Sequence, residues 1–224
     1  MKKNFLLIVL FIFPILFSCK SKEEKVTALP YDPPGATITT DKEVSLQHQR
    51  IISFSNTGVF VSNEFSGARL NDFYQVNDTT YTAVIEPENA PINDSPWYSF
   101  KIWSKSDQNI TLNLTYKDGT HRYKPKVSYD GKSWQLLDTN KVFIDTTINV
   151  ATLKLNVTKD TLWISAQELI TSKFYVDWIS QLLKKEFVRK GIIGSSSQGK
   201  SLHKLEIGKE GNSNFVVILG RNHP

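Results

Sequence analysis

Few side chains in this 224-residue sequence are of kinds that do chemistry, and most of them stand without company. Four histidines are spread along the chain, at His48, His121, His203 and His223. His48 and His121 have no companion at ligand spacing, and His203 alternates onto the strand face of Leu205 and Ile207, the setting of a partly packed imidazole. His223 differs in what precedes it. Phe215 to Gly220 is a continuously apolar run of β-formers, the kind found in a strand covered on both faces, and it delivers Arg221, Asn222, His223 and Pro224 to its end. Taken by itself, a histidine beside that proline reads as a solvated end. Ser195, Ser196 and Ser197 lie in a Gly-flanked loop but show no nucleophile pattern, and the flanking glycines do not match a phosphate-binding loop. Cys19 is the single cysteine, so no disulfide forms within the chain and stability rests on packing.

The elements that would position these residues fall into a clear order. Phe5 to Phe17 is an apolar run behind Lys2 and Lys3, too short for a stable membrane anchor and of the length of a secretory signal. Residues 20–40 are polar and without periodicity, as a flexible tether would be. From 41 to 170 the chain reads as a series of short β segments: 50–54, 57–63, 80–86, 97–103, 110–116, 126–130, 141–145, 151–157 and 161–165. Ile110, Leu112, Leu114 and Tyr116 share one face of the clearest segment, and Thr111, Asn113 and Thr115 share the other. Asp118-Gly119 and Asp130-Gly131 supply tight reversals through the positive φ that glycine accepts. Such strands at such spacing predict a mainly β fold, an antiparallel β-sandwich. Alternation also sets Trp97 and Trp103 opposite Tyr98, Phe100 and Ile102. Two arrangements fit: an exposed aromatic shelf for sugar or peptide stacking, or indoles packed under a loop or against a neighbouring domain.

After Thr171 the period changes. Residues 171–187 have helical apolar spacing with Ser172 as N-cap, residues 191–208 read as two strands joined at Gln198-Gly199, and 215–220 reads as the buried strand. A helix, a hairpin and a buried strand make the incomplete start of an α/β domain over 171–224, since a fully covered strand needs neighbours that so short a stretch does not supply.

The chain carries 27 Lys and Arg against 22 Asp and Glu, a net charge of +5, which falls to +3 without Lys2 and Lys3. No long block of like charge is present, and the cluster from His121 to Lys126 reads as a solvated hairpin face, so nucleic-acid binding gains no support. Leu16-Phe17-Ser18-Cys19, followed by a polar stretch, resembles the lipobox of bacterial lipoproteins. The resemblance implies cleavage before Cys19, lipidation of its thiol, and attachment to a membrane of the cell envelope, with the outer membrane expected.

A second resemblance covers about 170 residues. The helix containing YVDWISQL, the hairpin GSSSQGKSLHKLEIG and the end VVILGRNHP resemble the opening of the catalytic domain in zinc carboxypeptidases, in the branch with an N-terminal β-sandwich that includes the cytosolic carboxypeptidases. SPWYSFKIW, RYKPKVSYDGKSW and DTLWISAQE resemble sandwich segments of bacterial members. In that branch the first zinc loop reads approximately Gly-Arg-x-His-Pro, followed by one residue and a glutamate, which Gly220 to Pro224 match as far as they go. The resemblance implies zinc as cofactor, a peptide as substrate, hydrolysis of the C-terminal peptide bond, and His223 as first zinc ligand, aimed by a strand end. The second zinc histidine, the ligand glutamate, the substrate-binding arginine and the catalytic glutamate have no counterparts in the 224 residues. The expectation is therefore a chain truncated at the first zinc loop, with no catalytic residue of its own and no activity alone. The alternative is a non-catalytic surface lipoprotein whose sandwich binds a glycan or protein through Trp97 or Trp103.

Overall fold

Side chains of alternating character build most of the folded chain, and the computed structural model describes residues 46–88, 94–196, 199–211, 214 and 216–219. Eleven strands come first: β1 (Ile51–Phe54), β2 (Val59–Ser62), β3 (Asp72–Asn77), β4 (Thr80–Ile85), β5 (Ser99–Ser104), β6 (Gln108–Tyr116), β7 (Lys126–Ser128), β8 (Gln135–Leu136), β9 (Val142–Asp145), β10 (Val150–Val157) and β11 (Leu162–Ser165). They form one sheet in the order β1-β2-β5-β11-β7-β8 and another in the order β3-β4-β6-β10-β9. The fold is the expected β-sandwich, mainly antiparallel. One pair departs from that rule, since β4 runs parallel to β6 with Thr80 opposite Thr111 and Ile85 opposite Tyr116.

The core lies between the two sheets and follows the alternation strand by strand. Val59 and Val61 of β2 and Phe100 and Ile102 of β5 meet Leu112 and Leu114 of β6 and Leu153 and Leu155 of β10. Phe54, Phe73 and Tyr81 cluster at one end, with ring centroids 5.3–6.0 Å apart. Burial of such side chains, at about 1.5–3 kcal/mol each, is the dominant favourable contribution in a sandwich that has no disulfide.

A polar knot ties the segment before β1 to the sandwich. Asn63 is buried; its Oδ1 accepts the Arg50 amide at 2.7 Å, and its Nδ2 lies 3.1, 2.9 and 3.0 Å from Gln47 Oε1, the His48 carbonyl and the Leu70 carbonyl. Gln47 completes the knot by accepting the Leu70 amide at 2.8 Å and donating to the Ala68 carbonyl.

Helix α1 (Ser172–Leu182) and an antiparallel hairpin of β12 (Val188–Ser195) and β13 (Ser201–Ile207) follow. The helix is capped one residue earlier than its sequence suggests: the Thr171 hydroxyl, not Ser172, accepts the Phe174 amide at 3.2 Å. It also stops at Leu182 rather than Phe187, because the chain leaves the helix through a turn and enters β12 at Val188. The reversal expected at 198–199 is present at Gly199 (φ 73°), whose amide donates to the Ser196 carbonyl at 2.9 Å. Two further expectations are corrected. The left-handed residue in the turn after β6 is Asp118 (φ 59°), not Gly119; what Gly119 supplies is room, since a Cβ there would lie 3.1 Å from the Asp94 carbonyl oxygen. The apolar run 216–219 is neither a strand nor buried, and Val216 and Ile218 are 87% and 89% exposed. β-forming side chains do not make a strand by themselves, and no strand among the described residues pairs with this run.

Candidate functional site

The sequence directs attention first to the indoles. Trp97 packs on the core just before β5, and its Nε1 donates to the Gly67 carbonyl at 3.3 Å. Trp103 lies on the outer face of the first sheet, half-buried and stacked on Phe60 with centroids 5.5 Å apart and planes 7° from parallel. The register explains the pair, because Phe60 and Trp103 are directly opposed on β2 and β5. Six residues of nearly extended chain separate the indoles by roughly 20 Å, so the two do not form one shelf.

The same outer face carries a constellation that strand patterns did not reveal. Lys101 of β5 stands opposite Trp163 of β11, with its Nζ 4.3 Å from that ring centre and 4.9 Å from the ring of Phe65. Phe65 meets Trp163 edge-on at 4.6 Å. Alternation places Lys101 and Trp163 outward, but only the pairing of β5 with β11 makes them neighbours. The ammonium occupies the aromatic surface and gains from it electrostatically. Gly131 (φ 69°) lies against the same indole, where a Cβ would come 3.0 Å from the Trp163 ring.

Titratable groups cluster beside β6. The Tyr116 hydroxyl and His121 Nδ1 are 2.7 Å apart. Burial pushes the phenol above its ordinary range and the imidazole below its own, so both are neutral near pH 7. Tyr98 is fully buried and its phenol is pushed up by the same cause, then by Tyr123. In the turn after β7, Asp130 is held far below the usual carboxylate range, first by the Ser133 amide at 2.7 Å and then by the Lys132 amide at 2.8 Å, with the hydroxyls of Ser133 and Ser128 each at 2.9 Å. These donors hold the turn and leave its carboxylate no catalytic freedom.

His203 is half-buried on β13, 6.5 Å from the Tyr175 ring of α1 and nearly parallel to it, a packing role that fits its strand face. Among the described residues no group of three or more His, Cys, Asp or Glu side chains could hold a metal ion, so the described residues do not fit zinc. Nor is any helix among them long and apolar enough to cross a membrane. His223 and Cys19 lie outside the described residues.

The sandwich is the part of the chain that resembles a known family. Residues 61–166 match the family model of the cytosolic carboxypeptidase N-terminal domain. The sandwich resembles that domain. The matched span runs from β2 through the end of β11, and so includes Trp97, Trp103, Lys101 and Trp163. Solved structures agree in fold. A chain from Shewanella denitrificans OS-217 described as a carboxypeptidase A is 17% identical with a TM-score of 0.59, covering 68% of this chain and 41% of its own. A metallo-carboxypeptidase from Burkholderia cenocepacia is 11% identical with a TM-score of 0.58, over 70% of this chain and 41% of its own. A metallo-carboxypeptidase from Pseudomonas aeruginosa, in complex with (2-guanidinoethylmercapto)succinic acid, is 16% identical with a TM-score of 0.56, over 68% and 41%. This chain thus spans about two fifths of the length of those proteins. No curated protein sequence matches it.

Proposed function

We propose that the chain is the front part of a metallocarboxypeptidase, with the carboxypeptidase-type sandwich leading into a catalytic domain that opens with α1 and the β12–β13 hairpin. The observation that carries this reading is the sandwich match over 61–166, followed within a few residues by that helix and hairpin and then by Gly-Arg-Asn-His-Pro at 220–224. In the complete protein His223 is the first zinc ligand and a peptide C-terminus is the substrate. Zinc, when bound, would polarise the scissile carbonyl and activate water. A single imidazole does neither, because catalytic zinc sites take three protein ligands. The 224 residues by themselves are then inactive. The lipid on Cys19 anchors the enzyme at the envelope membrane, with the sandwich between anchor and catalytic domain.

The test uses the complete product of the locus, including any reading frame that continues beyond the Pro224 codon. It should release C-terminal residues from peptides, lose that activity to a chelator and regain it with zinc. His223→Ala should lower bound zinc, measured by elemental analysis, while the sandwich stays folded. Zinc-dependent hydrolysis by residues 1–224 alone would refute the inactive-fragment reading. A complete product that binds a glycan or protein regardless of chelator, and cleaves nothing, would favour the non-catalytic lipoprotein instead.

A further inference from the structure

The two sheets part at the side where β8 and β9 form their edges, and a cleft of about 310 Å³ opens there. Its floor is apolar, from Val127, Leu155 and Leu162, and its rim carries Lys141 and Lys154. The cleft follows from an incomplete ladder. Strand β9 accompanies β10 only from Val150 to Leu153, whereas β6 accompanies β10 along its whole length to Val157. Beyond that β9–β10 pairing the chain leading into β9 turns as a short 3-10 helix (Thr139–Lys141) that packs on β10, and past it residues 155–157 have β6 on one side and none of the described strands on the other. Alternate residues of an antiparallel strand direct their amide and carbonyl groups to opposite sides, so this stretch offers ladder groups to the cleft.

The charge around it has one sign to spare. Among the described residues neither Lys141 nor Lys154 is in an ion pair; Lys154 Nζ rests 5.0 Å from the Phe143 ring centre. Asp138, the acidic residue of the lining, is turned to its own backbone and accepts the Asn140 amide at 2.9 Å. We propose that this cleft binds an extended acidic peptide, which adds to β10 beside residues 155–157, past the turn that leads into β9. One of its alternate side chains, apolar, enters the floor, and its carboxylates meet Lys141 and Lys154. The proposal does not depend on a peptidase function, and the binding it describes requires no metal.

The probe is a fluorescein-labelled, end-blocked nonapeptide of alternating valine and glutamate, titrated with the whole chain and read by anisotropy. Saturable binding is expected, with a chelator making no difference. Affinity should fall at least tenfold when lysine replaces glutamate in the peptide, when a central proline removes a ladder donor, and in the protein variants Lys141→Glu and Lys154→Glu. Both lysines are exposed, and the circular dichroism of each variant verifies its fold; Lys154→Ala gives a milder form with a smaller loss in the same direction. Absence of binding, equal binding of the lysine and glutamate peptides, or indifference to both charge reversals overturns the proposal. A proline peptide that binds as well as its parent overturns the added strand.

Discussion

Replacing Asn63 by alanine tests whether the polar knot, rather than apolar burial alone, holds the segment before β1 on the sandwich. The side chain is 2% exposed and makes four hydrogen bonds, to the Arg50 amide, Gln47 Oε1 and the carbonyls of His48 and Leu70. Each such bond contributes on the order of 1 kcal/mol net, and a buried donor left without an acceptor costs roughly 1–3 kcal/mol more. Arg50 is half-buried, so water recovers part of that cost. The expected loss for Asn63→Ala is about 3 kcal/mol, or roughly 10 °C in melting temperature for a chain of this size. Equilibrium urea unfolding, followed by tryptophan fluorescence, measures the loss. Hydrogen exchange should show residues 46–50 losing protection before the strands do. Asn63→Asp sharpens the argument. A carboxylate keeps the acceptor for the Arg50 amide but turns its other oxygen toward three acceptors, which raises its folded pKa above the unfolded value. That variant should be at least as unstable as Asn63→Ala near pH 7 and should recover as the pH falls and a proton restores one donor. A loss below about 1 kcal/mol for Asn63→Ala, with protection of 46–50 unchanged, would refute the reasoning.

Three further outcomes are expected. Burial depresses the His121 pKa in the fold, so its contribution to stability is complete above the unfolded value of about 6.5 and fades as pH falls through the lower folded value. His121→Phe should remove that part of the acid sensitivity in denaturation at pH 7.5 and pH 5, even though it costs stability by unpairing the Tyr116 hydroxyl. Gly131→Ala puts a Cβ at φ 69° and 3.0 Å from the Trp163 ring, which should cost about 1–2 kcal/mol and change the indole emission; emission and stability equal to wild type would contradict the contact. Limited proteolysis should cut after about Thr171 and leave the sandwich. In α1 Ile179 is the buried residue, and Ile192, Ile193, Leu202 and Ile207 of the hairpin are exposed, so a tail as resistant as the sandwich would point to cover from another surface.

Strands with one wet face were legible in the sequence, because alternation sets both the face and the length; β6 and β10 are the clearest cases. Strand β3 was not legible, since its alternation runs the wrong way: Gln75 lies on the same face as buried Phe73, and Tyr74 and Val76 are exposed to solvent. Two-residue β8 is too short to carry a period at all. Pairing was the larger gap. The parallel β4–β6 neighbours, the Lys101–Trp163 stack and the cleft beside β10 all depend on which strands lie side by side, and side-chain order within one strand does not encode that. The run 216–219 shows the converse, a strand composition without a strand. The site residues drawn from resemblance, His223 and Cys19, lie outside the described residues, so the family match of the sandwich bears on them only through the fold that precedes His223.

The parallel pairing of β4 with β6 also has a kinetic consequence. Between those strands the chain crosses to the opposite sheet, lays down β5 and returns, so neither sheet can be finished before the other has begun. Ties such as the Ser165 hydroxyl to the Tyr98 carbonyl join residues 67 apart in sequence. Topologies dominated by such distant partners fold in milliseconds to seconds, with strand edges exposed while they search. Every described strand of both sheets has been synthesised by Ser165, and none of the described residues from α1 onward joins either sheet. The sandwich can therefore mature first, as a finished platform against which later parts of the polypeptide fold.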